Sequence, residues 1–522
     1  MLIEFDYKRK PTVQEITHGI SPFTVLTEER RRCVHTSYLD TFDWRLYRKG
    51  LTLKTYHCDG NTEISLHDRN HGHCVSRAVA PTINVEKLPT GQLQDRVIPI
   101  IGIRSLMTRL SLDGATELLS IRNDSGKTVA QCSLSTWRVV NDEGQSVSKP
   151  LRRLQLEDLK GYDAEFAEIQ NALSALSGLL PTTDTLLDRG LQKLGRTACD
   201  YSTKLQYGFS ADTPTLQAAV EIFTALYAII TANEKGIERD IDTEFLHDFR
   251  IAIRRTRSLL AQLKHHFTSS AIRNFGEEFS WLGHMTNAKR DYDIFGLKIP
   301  VYESLVCSAL LDHLRGLGDY IETQRNSTLQ ALLEVLHGTR YQRLKTEWEA
   351  FLGEPHNYVD AAECNTSVKE TADVGIWAAY KQVIRAGRPI RPDSPFELFH
   401  KLRIKCKRLR YLLEFYAHIY SNTDMRRLVK QLKSLQDMLG ELQDQAFQIT
   451  HLRDFGVGFD NTMGAGSTLA IGALIQAISL SADERSLIVS EFERFASRNN
   501  HRLYRSLFNN EPTYACDRDL QH

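Results

Sequence analysis

The sequence predicts a multidomain α+β protein in which a unit of short strands precedes an all-helical, internally duplicated unit. Three observations predict it. At 522 residues the chain exceeds what one hydrophobic core usually serves. Residues 1 to about 180 run in short alternating segments broken by Gly, Asn and Asp, as strands do. The remainder follows the helical period, and one stretch of it recurs 153 residues downstream, from His247 to His400.

In the first unit, Glu4, Asp6 and Lys8 alternate with Ile3, Phe5 and Tyr7, so a strand would set the three charged groups on one face. A charged face turned inward implies a tunnel. Paired carboxylates can hold a divalent cation while a neighbouring lysine holds a phosphate oxygen, which makes Glu4, Asp6 and Lys8 candidate catalytic residues. An edge strand with its polar face in water is the competing reading. His57, Cys58, His67, His71, His73 and Cys74 crowd metal-ligand types into one stretch, but at no standard spacing, and they read as a polar loop between strands. Residues 180–185, Leu-Pro-Thr-Thr-Asp-Thr, read as a turn between the units.

In the second unit, residues 244–260 align without a gap to residues 397–413, and the same offset carries His265 onto His418, Leu282 onto Leu435 and Asp291 onto Asp444. Two copies that each hide their apolar faces poorly would pack together about a pseudo-twofold axis. Each copy opens with an amphipathic helix. His247, Arg250, Arg254 and Arg257 fall at i, i+3, i+7 and i+10, opposite Leu246, Phe249, Ile253, Leu259, Leu260 and Leu263. The second copy sets His400, Arg403, Lys407 and Arg410 against Phe399, Leu402, Leu409, Leu412 and Leu413. Like charges at these spacings destabilise a helix unless an anion faces them. A ligand can supply that anion; a solvated face, or pairing with acids on neighbouring helices, are the alternatives. Asp291 and Asp444 are expected to be buried or half-buried pins that orient arginines. Residues 353–357 and 387–395 are rich in helix breakers and read as separators of the bundles, and 456–466 as an exposed loop.

Lys plus Arg and Asp plus Glu number 65 each, which excludes a generally basic or disordered chain and requires any basic site to be local. Nine cysteines with no Cys-x-x-Cys pair argue against a disulfide framework or a structural zinc finger and suit a reducing cytoplasm. The charged start from Met1 to Lys8 lacks the apolar core of a signal peptide. The apolar stretch 469–480 is short for a membrane span and is interrupted by Gly472, Gln476 and Ser479, so a buried helix and no membrane partner are expected.

Four motifs stand in order: His247-x-x-Arg250-x-x-x-Arg254-Arg255-x-Arg257; Trp281-Leu282 with Lys289-Arg290-Asp291-x-Asp293; His400-x-x-Arg403-x-x-x-Lys407-Arg408-x-Arg410-Tyr411; and Leu432-Lys433-x-Leu435 leading to Leu442-x-Asp444. Together they closely resemble the conserved-histidine α-helical (CHAD) domain over residues 205–510. The resemblance implies duplicated four-helix bundles (about 213–350 and 370–510) around a basic pore or groove that binds inorganic polyphosphate. No cofactor is required for this, and such proteins can gather on polyphosphate granules. It assigns binding to His247, Arg250, Arg254, Arg255, Arg257, Lys289, Arg290, His400, Arg403, Lys407, Arg408, Arg410 and Lys433. With only Tyr411 as a nearby aromatic, the faces disfavour nucleic acid.

Glu4-x-Asp6-x-Lys8, Tyr38-Leu39-Asp40-Thr41 and Gly50-Leu-Thr-Leu53-Lys54 resemble the opening of a CYTH domain, the triphosphate tunnel fold, for residues 1–200. The resemblance implies a closed antiparallel β tunnel barrel, with a hairpin around Asn123-Asp124-Ser125-Gly126. It places triphosphate on Lys8, Lys54, Arg104 and Arg109, and magnesium or manganese on Glu4, Asp6 and Glu157. A metal-dependent inorganic triphosphatase, with tripolyphosphate as partner, is therefore the alternative to polyphosphate binding. This sequence departs from the pattern. Lys54 and Tyr56 stand where the family alternates arginines, and Gln155-Leu156-Glu157 stands where it closes with Glu-x-Glu. An amide in place of a carboxylate removes a hard-cation ligand, so the domain reads as degenerate and binding is favoured over catalysis.

Overall fold

The computed structural model describes residues 2–58, 60–69, 74–79, 88, 90–141, 143–359, 366–459, 465–480 and 485–509, in two compact units, Met1–Ser202 and Thr203–His522.

The first unit is one antiparallel sheet with helices laid on it. In chain order it comprises β1 (Leu2–Tyr7), α1 (Val13–Gly19), β2 (Thr24–Asp40), α2 (Arg45–Arg48), β3 (Leu51–Cys58), β4 (Asn61–Asp68), β5 (Cys74–Val79), α3 (Gln92–Ile101), β6 (Met107–Arg122), β7 (Thr128–Val140), β8 (Leu151–Asp158), α4 (Asp163–Ala175), β9 (Leu179–Thr182) and α5 (Leu186–Lys193). The strand order is β5-β4-β3-β2-β6-β7-β8-β1-β9. Period-two alternation divides β1: Phe5 joins a core with Ile16, Leu154 and Phe166 under α1 and α4, which leaves Glu4 and Asp6 on the other face. On β2, Tyr38 feels the charges of Glu4 and Arg153, so the sheet curls. It does not close into the expected barrel: among the described residues β5 and β9 remain edges. β9 has four residues, and one of them, Pro181, lacks the N–H needed to extend the ladder. The segment expected as an inter-unit turn thus supplies a strand. The β6–β7 hairpin falls where expected, with Gly126 at φ 75° and Asn123 N–H donating to Lys127 O at 3.0 Å.

The second unit contains α6 (Thr215–Glu238), α7 (Thr243–Gln262), α8 (Ser269–Met285), α9 (Asn287–Leu305), α10 (Leu311–His337) and α11 (Thr339–Gly353). The second copy supplies α12 (Val368–Gly387), α13 (Phe396–Tyr416), α14 (Asn422–Phe459), α15 (Ala465–Leu480), α16 (Arg485–Phe495) and α17 (Arg498–Phe508). The starts of α6, α7 and α8 recur 153 residues later as the starts of α12, α13 and α14. Residues 387–395 therefore join two helices of one copy instead of dividing the copies, and Gly456 lies in α14.

Reciprocal contacts mark the pseudo-twofold axis. Pro214 bridges to Ser367, its own counterpart. Thr215 N–H donates to Thr366 O at 3.0 Å and Val368 N–H donates to Thr213 O at 2.8 Å, each bond being the image of the other. Phe295 meets Phe455 with ring centroids 5.4 Å apart, and its image is the 3.0 Å bond from Tyr302 Oη to Gln448 Oε1. Trp348 anchors the first bundle among Phe223, Phe275, Phe279 and Phe351. Tyr380, Phe495 and Tyr504 pack together in the second. A third core, with Phe295, Leu317, Leu452, Phe455 and Leu474, is built by both copies. Among the described residues, α6 is long and apolar enough to cross a membrane, yet Ile222, Phe223 and Leu226 on it are core residues of the bundle.

Candidate functional site

α7 begins under an N-cap, Asp242 accepting from Glu244 N–H at 2.9 Å. Every apolar residue predicted for the inner faces of α7 and α13 is buried, which fixes the basic faces on the opposite sides. The two histidines are held alike. His247 Nδ1 accepts from Arg290 Nη2 at 3.0 Å, and His400 Nδ1 bonds to Gln443 Oε1, Gln443 being the counterpart of Arg290.

Arg250 is oriented by neutral acceptors: Gly283 O at 3.1 Å, Thr286 Oγ1, and Asn287 Oδ1 at 2.9 Å. Its position is fixed and its charge is not cancelled. Burial, then Arg254, pull its pKa down to about 10, with Asp291 acting in opposition. Burial also lowers Arg403, although Asp444 lies 3.9 Å away. Lys407 is pushed furthest, to about 7, by burial and then by Arg403, Arg254 and Arg250, against a pull from Asp444. Arg254 acts on both Arg403 and Lys407, so the two basic ridges face each other. Since Arg254 and Lys407 are counterparts, the cluster straddles the axis. Among the described residues neither forms an ion pair, and the buried Nε of Arg254 has no hydrogen-bond partner. A cleft beside them is lined by Arg250, Ile253, Arg254, Arg257, Gly283, His284 and Asn287. His284 and Asn287 were missed in sequence, although His284 follows the Trp281-Leu282 motif closely.

Not every predicted cation belongs to this site. Lys289 is 2% exposed and paired with Asp240 at 3.0 Å and Asp293 at 2.6 Å; Arg325 completes that internal network. Arg255 and Arg410 are both committed to Glu414, at 2.7 and 2.6 Å. Arg290 is lowered by burial and also holds Thr243 O at 3.1 Å. Arg408 is half-buried and Lys433 is exposed. The pin role holds only loosely. Asp291 is half-buried with its pKa raised by burial and makes no ion pair among those described, whereas Asp444 is 70% exposed.

In the first unit the two β1 carboxylates expected to line a tunnel are engaged by other side chains. Glu4 binds Arg153 and Gln155; Asp6 binds Arg153 at 3.0 Å and Arg189 at 2.6 Å; Glu157 is exposed. This donor set does not fit magnesium or manganese as arranged, because a hard cation would have to displace two guanidinium groups. Among the described residues no three His, Cys, Asp or Glu side chains gather as metal ligands. His57 and His67 sit on strands, bonded to Thr62 and Ser65, while His71, His73 and the Cys74 side chain lie outside the described residues. Arg109 is buried against Trp44, 4.4 Å from its ring centroid, and donates to Asp200 at 3.3 Å. Arg104 is 2% exposed near Asp43. Lys8 is exposed past the end of β1, and Lys54 is half-buried on β3.

Residues 221–453 match the CHAD domain family model. This part of the chain is a CHAD domain. An uncharacterized protein of Mycobacterium tuberculosis is 26% identical over 243 residues, which are 44% of this chain and 44% of the relative; this chain thus matches less than half of that protein's length. The crystal structure of the CHAD domain from the plant Ricinus communis is similar, with a TM-score of 0.48 and 22% identity over 56% of this chain and 95% of that one. For the N-terminal sheet, a putative adenylyl cyclase from Hippeastrum, described as having a dominant triphosphatase activity, is similar at a TM-score of 0.25 and 14% identity, over 39% of this chain and 100% of that one.

Proposed function

We propose that the CHAD domain binds inorganic polyphosphate between its two facing ridges, with no cofactor required. The observation that supports this is Lys407, a half-buried ammonium held down to about 7 by burial and three neighbouring guanidinium groups. A polyanion laid along the axis relieves repulsion from both copies at once. A bare phosphate chain offers oxygens to arginine forks and lysine point charges alike. Nucleic acid calls for stacking surfaces, and Tyr411 beside the ridge already carries Arg255, 5.9 Å from its ring centroid. In a cytoplasm holding polyphosphate granules, such a domain would collect on them.

The test compares the affinity of the full chain for long-chain polyphosphate, tripolyphosphate and RNA across a salt series. Polyphosphate should bind most tightly, with log affinity falling linearly in log salt as counterions are released. Arg254→Glu combined with Lys407→Glu should weaken binding by about 100-fold or more, as expected for reversing desolvated charges. Reversal of the exposed Arg273 should change it less than about threefold. Equal affinity for RNA, or equal losses at Arg273, would overturn the proposal.

A further inference from the structure

We infer that the two half-sites are unequal: the phosphate chain leaves the axis over the first copy, past Arg257 and His284, while the second copy closes its own end with carboxylates. This rests on the polyphosphate reading and adds a direction to it.

The 153-residue offset allows the halves to be compared position by position. Arg257 is exposed, lines the cleft and forms no ion pair among the described residues. Its counterpart Arg410 donates to Glu414 Oε1 at 2.6 Å and Gln436 Oε1 at 3.3 Å. Glu414 stands where the first copy has Ala261, Asp437 where it has His284, and Glu441 where it has Ala288. Asp437 and Glu441 are exposed. The second end thus gains three acidic groups against the added cation Lys433, in place of Ser280, and loses the histidine.

Backbone geometry follows the same division. The first copy breaks between α8 and α9 at Thr286, where Gly283, His284 and Asn287 border the cleft and Asn287 holds Arg250. In the second copy α14 runs unbroken through the corresponding Leu439, and Gly440 replaces the asparagine. Successive phosphates are repelled by carboxylates at one end and met by an unpaired guanidinium and an imidazole at the other.

Full-length Arg257→Gln, His284→Asp and Arg410→Gln are to be compared for binding to long-chain polyphosphate and to tripolyphosphate, with thermal unfolding as the folding control. Arg257 and His284 are exposed, and Glu414 keeps Arg255 when Arg410 is neutralised, so all three variants should fold. Arg257→Gln and His284→Asp should each weaken long-chain binding by about tenfold, and Arg410→Gln by less than about threefold. Equal losses for Arg257→Gln and Arg410→Gln, or no loss for His284→Asp, would overturn the inference and leave the polyphosphate reading standing. Unaltered binding in Arg254→Gln combined with Lys407→Gln would overturn the reading and the inference together.

Discussion

On the polyphosphate reading proposed above, Lys407 is the residue whose charge the ligand would decide. Its folded pKa of about 7 lies below the ordinary 10.5, so between those values the folded chain binds fewer protons than the unfolded one. Stability therefore rises with pH through that window, and the cost of the buried ammonium is fully present below it. A bound polyanion would restore the ammonium, and binding would take up a proton. Affinity for polyphosphate should then be highest below about pH 7 and decline above it, by at most about tenfold per pH unit. Lys407→Arg puts a cation there that does not titrate in this range, and should flatten that decline while keeping most of the affinity. Calorimetric titrations across neutral pH measure both effects; a wild-type affinity that ignores pH, or a variant as pH-dependent as the wild type, would sink the proton linkage.

At the scale of helices, the sequence was legible wherever a local period sets a face. The apolar stripes of α7 and α13, the ridges opposite them and the duplication itself could all be read from spacing. Which cations stay unpaired could not, because distant acids decide it. Lys289 stands in a CHAD-like motif, yet Asp240, far from it in sequence, and Asp293 hold it in the interior, in a network that Arg325 completes. The second copy has Leu442, Ala446 and Ile478 where the first has Lys289, Asp293 and Arg325, so the ionic network is not needed for the bundle as such. Removing one member is a different matter. Lys289→Met leaves Asp293, 1% exposed in its side chain, without its closest countercharge, and should cost about 3–5 kcal/mol of stability in chemical denaturation. Polyphosphate affinity of the folded variant should hardly change. A loss of affinity without a loss of stability would put Lys289 back in the binding site.

For the whole molecule, strand alternation and the β6–β7 hairpin could be read from sequence, but sheet closure and the fate of the charged face could not. Glu4, Asp6 and Arg153 lie nearly a domain apart along the chain, and only the β1–β8 register, Asp6 opposite Arg153 and Glu4 opposite Gln155, brings them together. That pairing bears on which unit would hold the proposed ligand. The first unit spends Glu4 and Asp6 on arginines and buries Arg104 and Arg109, whereas the facing cations Arg250, Arg254, Arg403 and Lys407 all belong to Thr203–His522. Residues 203–522 alone should therefore keep the affinity of the full chain for polyphosphate and the same slope of log affinity against log salt. Residues 203–359 should bind far more weakly, since they carry one ridge and lose the shared core in which Phe295 meets Phe455. A drop of more than about tenfold on removing residues 1–202 would mean that the first unit contributes cations of its own, with Lys8 and Lys54 the first to test.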